Sequence, residues 1–254
     1  MRVARWRAVP SLDASAFRAT TIPLPSEFVD YLLEDGLSLP AGSEAMPARF
    51  GARDDDDDDD DASSSSSASG DDAVAPARSF PTLERVVRDA VDALGGAVAP
   101  KLSWSAPKDA TWMATTSTTR CLNPGEVFLL LKASDAVAHD LSDAYSPCRD
   151  FDADDAAGLR ASQLASLRAD ATLTLTRWRD LSPSGEFRCF VWRGDLDVVC
   201  GHFPSRDYVF DVYVTSNRRV KIIDFNPWGG GTLPLLFEWH ELQRRGSGEG
   251  GFTD

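Results

Sequence analysis

Two aspartates and an asparagine near the C-terminal end carry the most specific chemical suggestion in this sequence. Asp211 lies in Tyr-Val-Phe-Asp-Val-Tyr-Val (208–214), and Asp224 and Asn226 lie in Lys-Ile-Ile-Asp-Phe-Asn-Pro (221–227). Both runs are β-rich. Side chains two apart on a strand share a face, so Asp224 and Asn226 point the same way. Between the runs, Ser216-Asn217-Arg218-Arg219 has tight-turn composition. A hairpin centred between Asn217 and Arg218 sets Asp211 opposite Asp224, with Cβ atoms roughly 5 Å apart, and Val209 opposite Asn226 on the same face. Like charges held opposite one another repel. A divalent cation resolves the repulsion. Hard oxygen donors suit magnesium, which binds one or two carboxylates together with substrate phosphates. A structural pair that shares a proton or is neutralised by a lysine resolves it equally well. The pattern alone leaves both readings open.

Cations able to hold phosphates lie upstream. Lys101 opens Lys-Leu-Ser-Trp-Ser-Ala-Pro-Lys-Asp, which also contains Lys108. Glu186 and Arg188, two apart, face one side of their strand. Arg177-Trp178 closes another strand, where an indole can edge a purine. No Walker A and no G-x-G-x-x-G is present, so a nucleotide would be held by side chains and a non-glycine loop.

These residues sit on a chain that reads as α+β. Leu83, Val86, Val87, Ala90, Val91 and Leu94 make one apolar helical stripe ending at Gly95-Gly96. A short strand at 97–102 follows. Asn123-Pro124-Gly125-Glu126 has the form of an N-cap, a first-turn proline and a capping-box Glu, which predicts a helix over 124–134. The Phe-Leu-Leu-Leu run inside it also suits a buried strand. Segments 173–178, 186–192, 196–200, 208–215 and 219–226 are β-rich and partly alternating, and a last amphipathic helix is expected over 235–244. The sheet is expected to be mostly antiparallel.

Composition sets the bounds. The chain has 254 residues, 43% of them apolar, enough for one large domain with a substantial core. Its formal charge is −14, of which eight units are the single run Asp54–Asp61. The remaining body is mildly acidic, which disfavours nucleic-acid backbones and anionic membranes as partners. Residues 41–79, with this run, Ser63–Ser67 and scattered Pro and Gly, are expected to be a disordered linker. It splits an ordered N-terminal segment, 1–40, from a body, 80–254, divided into lobes of about 80–170 and 171–245. Cys121, Cys148, Cys189 and Cys200 form no C-x-x-C, and His139, His202 and His240 share no motif with them. Reduced thiols are expected, without a zinc site. Nothing is apolar for long enough to span a bilayer. Residues 1–21 are Arg-rich and acid-poor, as transit peptides are, but lack the apolar region of a secretory signal.

Several stretches together resemble the cell division cycle protein 123 family. They are Pro-Lys-Leu-Ser-Trp-Ser-Ala-Pro-Lys-Asp-Ala (100–110), Leu-Leu-Leu-Lys-Ala-Ser-Asp (129–135), Ser-Gly-Glu-Phe-Arg-Cys-Phe-Val (184–191), Val-Phe-Asp-Val-Tyr (209–213), Ile-Asp-Phe-Asn-Pro-Trp-Gly (223–229) and Leu-Leu-Phe-Glu-Trp-His-Glu-Leu (235–242). Ile-Pro-Leu-Pro with Asp-Tyr-Leu-Leu-Glu-Asp-Gly (22–36) adds to them. The resemblance covers nearly everything outside 41–79, in family order. Because the match extends from Trp6 onward, it also counts against a removed transit peptide.

The resemblance implies a two-lobed ATP-grasp fold that holds ATP and magnesium between the lobes. It implies a cytoplasmic assembly factor that binds the gamma subunit of eukaryotic translation initiation factor 2, acting as a monomeric chaperone rather than an enzyme. By resemblance, Asp211, Asp224 and Asn226 match the metal ligands. Lys101, the Ala106–Asp109 loop with Ala106, Lys108 and Asp109, Arg177, Trp178, Glu186 and Arg188 match nucleotide-contacting positions. Lys132 matches a family lysine of unassigned role.

Three departures stand out. Thr176 replaces an Arg of the hinge strand. Gly201–Asp207 bridges a gap where the family has a further segment and helix, so the fold is expected to be shortened. The chain also stops soon after Trp239, without the long tail of many relatives. An ATP-grasp ligase or kinase-like enzyme, and a nucleotide-incompetent shortened form, are the alternative readings.

Overall fold

The computed structural model describes residues 2–43, 78–144, 156–193 and 206–246. They build two antiparallel three-stranded sheets, each with its own helical cover. The first sheet has the order β1 (Ala19–Pro23), β3 (Thr172–Arg177), β2 (Val98–Lys101). Its cover is α3 (Ser26–Leu33), α4 (Pro81–Ala93), α5 (Pro124–Lys132) and α6 (Asp135–Ser142). The apolar stripe of α4 delivers Leu83, Val87, Ala90 and Val91 to the core, while Val86 stays exposed. The Phe28 ring lies 4.9 Å from Phe128 and 5.0 Å from Phe80, so residues on both sides of the 44–77 segment share one core.

The second sheet runs β4 (Glu186–Val191), β5 (Tyr208–Val214), β6 (Val220–Pro227). One face packs on the N-terminal helices α1 (Val3–Arg7) and α2 (Pro10–Ser15), with Trp6 edge-on to Phe225 at 5.4 Å. The first forty residues thus serve both lobes: α1 and α2 cover the second sheet, and β1 joins the first. Strand β3 also belongs to the first sheet, so the change of lobe falls after Arg177 and not at 170 as read from the sequence. A further helix, α7 (Ala156–Ala169), precedes β3, and α8 (Trp239–Gly246) closes the described chain.

The α5 cap forms as the sequence requires: Asn123 Oδ1 accepts from the Glu126 N–H at 2.9 Å, and Glu126 Oε2 accepts from the Leu122 N–H at 2.6 Å. The Phe-Leu-Leu-Leu run is therefore helix, not strand. The last helix starts at Trp239 and not at 235, because Leu235 has φ 58°, a left-handed value that cannot continue a right-handed helix. The strand expected at 196–200 and most of the expected linker lie outside the described residues. The linker's two ends are tied together: the Ala41 N–H donates to the Arg78 carbonyl at 2.8 Å, and Ser43 is buried. Lys132, at the end of α5, donates to the Tyr31 and Glu34 carbonyls and lies 4.9 Å from the Tyr31 ring centre. It adds a donor to the Tyr31 carbonyl in the last turn of α3 and supplies one to the Glu34 carbonyl just past the helix end.

Gly125 lies against Ser43, and a Cβ on it would fall inside contact distance of the Ser43 carbonyl oxygen. Helix propensity alone would make Gly125→Ala stabilising by about 1 kcal/mol. Overpacking reverses the sign, and denaturant unfolding is expected to show a loss of about 1–3 kcal/mol.

Candidate functional site

The candidate site is a row of side chains crossing the second sheet. Arg188 on β4 stands opposite Asp211 on β5, which stands opposite Asp224 on β6. The acid pairing is the one expected, but the turn is not. The loop is 216–218, closed by the Thr215 N–H to Arg219 carbonyl bond at 2.9 Å, with Arg218 at φ 59°. That turn sets Val212 opposite Ile222, and the irregularity between Asp211 and Val212 leaves Ile223 as an extra residue on β6. This bulge shifts the register by one and brings Asp224 opposite Asp211. Val209 pairs with Asn226 beyond it, placing both acids and Asn226 on the face away from α1.

Each acid has its own cation. Arg188 forks onto Asp211, Nε to Oδ1 at 2.7 Å and NH2 to Oδ2 at 2.8 Å, while its NH1 donates to the Leu233 carbonyl at 2.8 Å. The bond to Asp211 raises the Arg188 pKa above its ordinary value despite opposing burial. Asn226 Nδ2 donates to Asp211 Oδ2 at 3.2 Å. Lys101, at the end of β2 in the other lobe, pairs with Asp224 Oδ2. The four ion-pair side chains are 16–22% exposed, so water screens them only in part. One atom is left over: Asp224 Oδ1 is buried and has no hydrogen-bond partner. A buried carboxylate oxygen left unsatisfied costs more than about 1–3 kcal/mol unless something occupies its lone pairs.

The row lies between two clefts, since Asn226 lines one and Lys221 the other, with Asp224 between them along β6. The first, about 1040 Å³, is lined by Trp104, Ser105 and Asp140 from the first lobe and by Arg188, Asn226 and Trp228 from the second. The second, about 1300 Å³, is basic and aromatic: Arg18, Arg120, Arg177, Trp178, Tyr213 and Lys221 line it, among others. Thus Lys101, Arg188, Asp211, Asp224 and Asn226 come together, while Arg177 and Trp178 sit in the second cleft. Glu186 is exposed on β4 opposite Tyr213. Ala106 is half-buried in the loop after β2, and Lys108 is exposed at the start of a 3-10 turn (Lys108–Met113).

Asp109 does identifiable structural work. Its Oδ1 accepts from Ser134 Oγ at 2.6 Å and its Oδ2 from the Ala136 N–H at 3.1 Å, at the start of α6. Burial pushes its pKa up, but these bonds outweigh it and hold the carboxyl below its ordinary value.

Asp140 was not singled out from sequence. It is 3% exposed and accepts from the Trp104 and Ser105 N–H groups and from Ser105 Oγ. Burial raises its pKa against the pull of these donors. Only the fold reveals it, because a single Asp on a helix carries no spacing signal. Arg7, whose pKa burial lowers, also feels the Asp224 charge, although its ion pair is with Asp13.

The donor set can be matched to a metal. No group of three or more His, Cys, Asp or Glu able to hold an ion occurs among the described residues. Two carboxylates and one amide oxygen cannot cage an ion by themselves. They fit magnesium, which keeps waters and takes its remaining oxygens from phosphates. The local charge agrees. The two acids are already balanced by Lys101 and Arg188, so a bare divalent ion gains little. A metal–polyphosphate gives both cations new anionic partners.

The Asp109 bonds predict a pH signature. A carboxyl held below its ordinary pKa adds stability that is fully present above the unfolded value and is lost as pH falls through the folded one. Asp109→Asn is expected to be less stable than the unmodified chain by a few tenths of a kcal/mol at pH 7, because Asp109 is exposed and water screens its charge. Thermal melts across the acid range are expected to show that gap closing.

The D123 family model matches residues 9–201 and 196–251, two blocks that overlap at 196–201. A relative from Danio rerio named translation initiation factor eIF2 assembly protein is 38% identical, across 92% of this chain and 72% of its own length. A relative from Phaeosphaeria nodorum named cell division cycle protein 123 is 34% identical, across 92% of this chain and 66% of its own. The solved structure of C-terminally truncated Cdc123 from Schizosaccharomyces pombe superposes with a TM-score of 0.66 at 28% identity, covering 95% of this chain and 89% of that one. The α+β, two-lobed, ATP-grasp-like architecture expected from the sequence agrees with that fold. On the extent of these matches, the chain belongs to the D123 family, whose relatives include cell division cycle protein 123.

Proposed function

We propose that this chain is a cytoplasmic assembly factor for eukaryotic translation initiation factor 2, a monomer that binds magnesium-ATP between its lobes and engages the gamma subunit. The names of its relatives support the assembly role. The observation that carries the nucleotide part is the buried, unpartnered Asp224 Oδ1 beside the lobe-crossing Lys101 pair.

Asp211, Asp224 and the Asn226 carbonyl oxygen would hold the metal. The metal, when bound, supplies neutralisation of polyphosphate charge. Lys101 and Arg188 exchange a carboxylate partner for phosphate oxygens, and Trp178 and Tyr213 offer aromatic faces to a base in the basic cleft. Because Lys101 belongs to one lobe and the acids to the other, occupancy tightens the two lobes into one surface. That makes ATP a conformational ligand, not a substrate to be consumed.

A second reading rests on the family model matching in two blocks, not one, and on acids already neutralised by the chain's own cations. In it, the fold engages its partner without nucleotide.

Calorimetry with ATP, with and without magnesium, separates the two. Magnesium-dependent binding supports the first reading, and no binding by the unmodified chain supports the second. Asp224→Asn keeps an acceptor for Lys101, so the fold is expected to persist with little change in melting temperature, while magnesium-dependent ATP affinity falls at least about tenfold. A gamma-subunit pull-down should strengthen when magnesium-ATP is added; no capture under either condition would overturn the assembly reading.

A further inference from the structure

We propose that Asp140 is a positioning residue for the nucleotide site: it fixes the turn that aims Lys101 across the lobes. This rests on the magnesium-ATP reading above. The turn follows β2 directly. The Leu102 N–H donates to the Ser105 carbonyl at 2.8 Å, reversing the chain one residue after Lys101. The same short loop then delivers Ala106 and Lys108. Nothing in its sequence stiffens Ser103-Trp104-Ser105, so outside contacts must hold it.

Those contacts come from three directions. The Ser103 carbonyl accepts from the Val3 N–H at 2.8 Å, and Ser103 Oγ accepts from the Thr172 N–H at 3.3 Å. Asp140, on α6, supplies the third and largest. Its Oδ2 takes the Trp104 N–H at 3.0 Å and the Ser105 N–H at 2.7 Å, and its Oδ1 takes Ser105 Oγ at 2.8 Å. One carboxylate thus satisfies two consecutive backbone donors and a hydroxyl, all charge-assisted. It is 3% exposed and lines the cleft beside Arg188 and Asn226. The Lys101 charge pulls the Asp140 pKa down, against its burial. The Asp109 bonds to Ser134 and Ala136 clamp the far end of the same loop to the start of α6. Helix α6 therefore grips the loop at both ends, and Asp140 is the grip next to the lysine.

Asp140→Asn tests this. An amide oxygen can still accept both N–H groups while its NH2 donates to Ser105 Oγ, so the variant keeps the shape and removes the charge that strengthens all three bonds. Val137→Ala is the control: it opens a cavity on the same helix at a residue that is 1% exposed and whose side chain makes none of the hydrogen bonds to the loop. Both variants are compared at a temperature where each is folded. With Asp140→Asn, faster hydrogen exchange at the Trp104 and Ser105 amides and at least a tenfold weaker magnesium-ATP affinity are expected. With Val137→Ala, those amides stay protected and affinity stays within about threefold. Equal loss of affinity in the two variants would show that Asp140 merely stabilises the fold and would overturn the proposal. Should Asp140→Asn fail to fold, Ser105→Ala removes only the hydroxyl arm and is expected to weaken binding a few-fold, with unchanged affinity counting against it. An unmodified chain that binds no magnesium-ATP overturns the nucleotide reading and this inference with it, a failure visible before any variant is made.

Discussion

Two carboxylates on neighbouring strands, facing the same way, are the constraint around which the candidate site is organised. At roughly 5 Å and an effective dielectric constant of about 20, their repulsion is about 3 kcal/mol. That is a sizeable share of the stability of a typical domain. The protein offsets it with one cation per acid, taken from different places. Arg188 comes from the adjacent strand of the same sheet, and Lys101 comes from the other lobe. The repulsion therefore becomes a link between lobes. A site closed in this way is balanced but not saturated, because Asp224 keeps one oxygen without a partner.

The rest of the chain is routed so that this link holds its aim. Helices α1 and α2 cover the far face of the second sheet, and β1 then enters the first sheet, so the N-terminal forty residues tie the lobes together. The Val3 bond to Ser103 brings the same segment onto the loop that follows Lys101. Helix α6 holds that loop from the opposite side through Asp140 and through the Ser134 and Ala136 bonds to Asp109. Lys132 does for α3 what Asp109 does for α6: it bonds helix-end groups from a different element. Polar side chains in the family-like motifs thus divide between those that face the clefts and those that hold the elements facing them.

Much of this was legible in the sequence, for reasons that differ by element. Helix α4 and the cap of α5 follow from local rules that tertiary contacts reinforce. The Asp211–Asp224 pairing was legible as well, but the turn that forms would not have produced it without the Ile223 bulge, which no composition rule announces. The partner of Asp224 was not legible, because Lys101 lies 123 positions away and only the stacking of the lobes brings them together. Asp140 was hidden for the same reason. The start of the last helix was missed because its pattern continues through Leu235, where the backbone turns left-handed. The ends of the 41–79 segment read as linker by composition, yet Ser43 is buried against Gly125, a contact that depends on a missing Cβ. Arg177 and Trp178, offered from the sequence as an edge for a purine, line the second cleft together with Tyr213 and Lys221 of the second sheet.

The central claim is that the acid pair exchanges its lysine for a metal carrying a triphosphate. A crystal of the chain grown with manganese and a non-hydrolysable ATP analogue, with anomalous data collected near the manganese edge, tests it most directly. The account predicts an anomalous peak within bonding distance of Asp211, Asp224 and the Asn226 carbonyl oxygen, with Lys101 Nζ moved from Asp224 onto phosphate. Nucleotide bound without a peak at these residues, or Lys101 still paired with Asp224 in a nucleotide-bound chain, would contradict it.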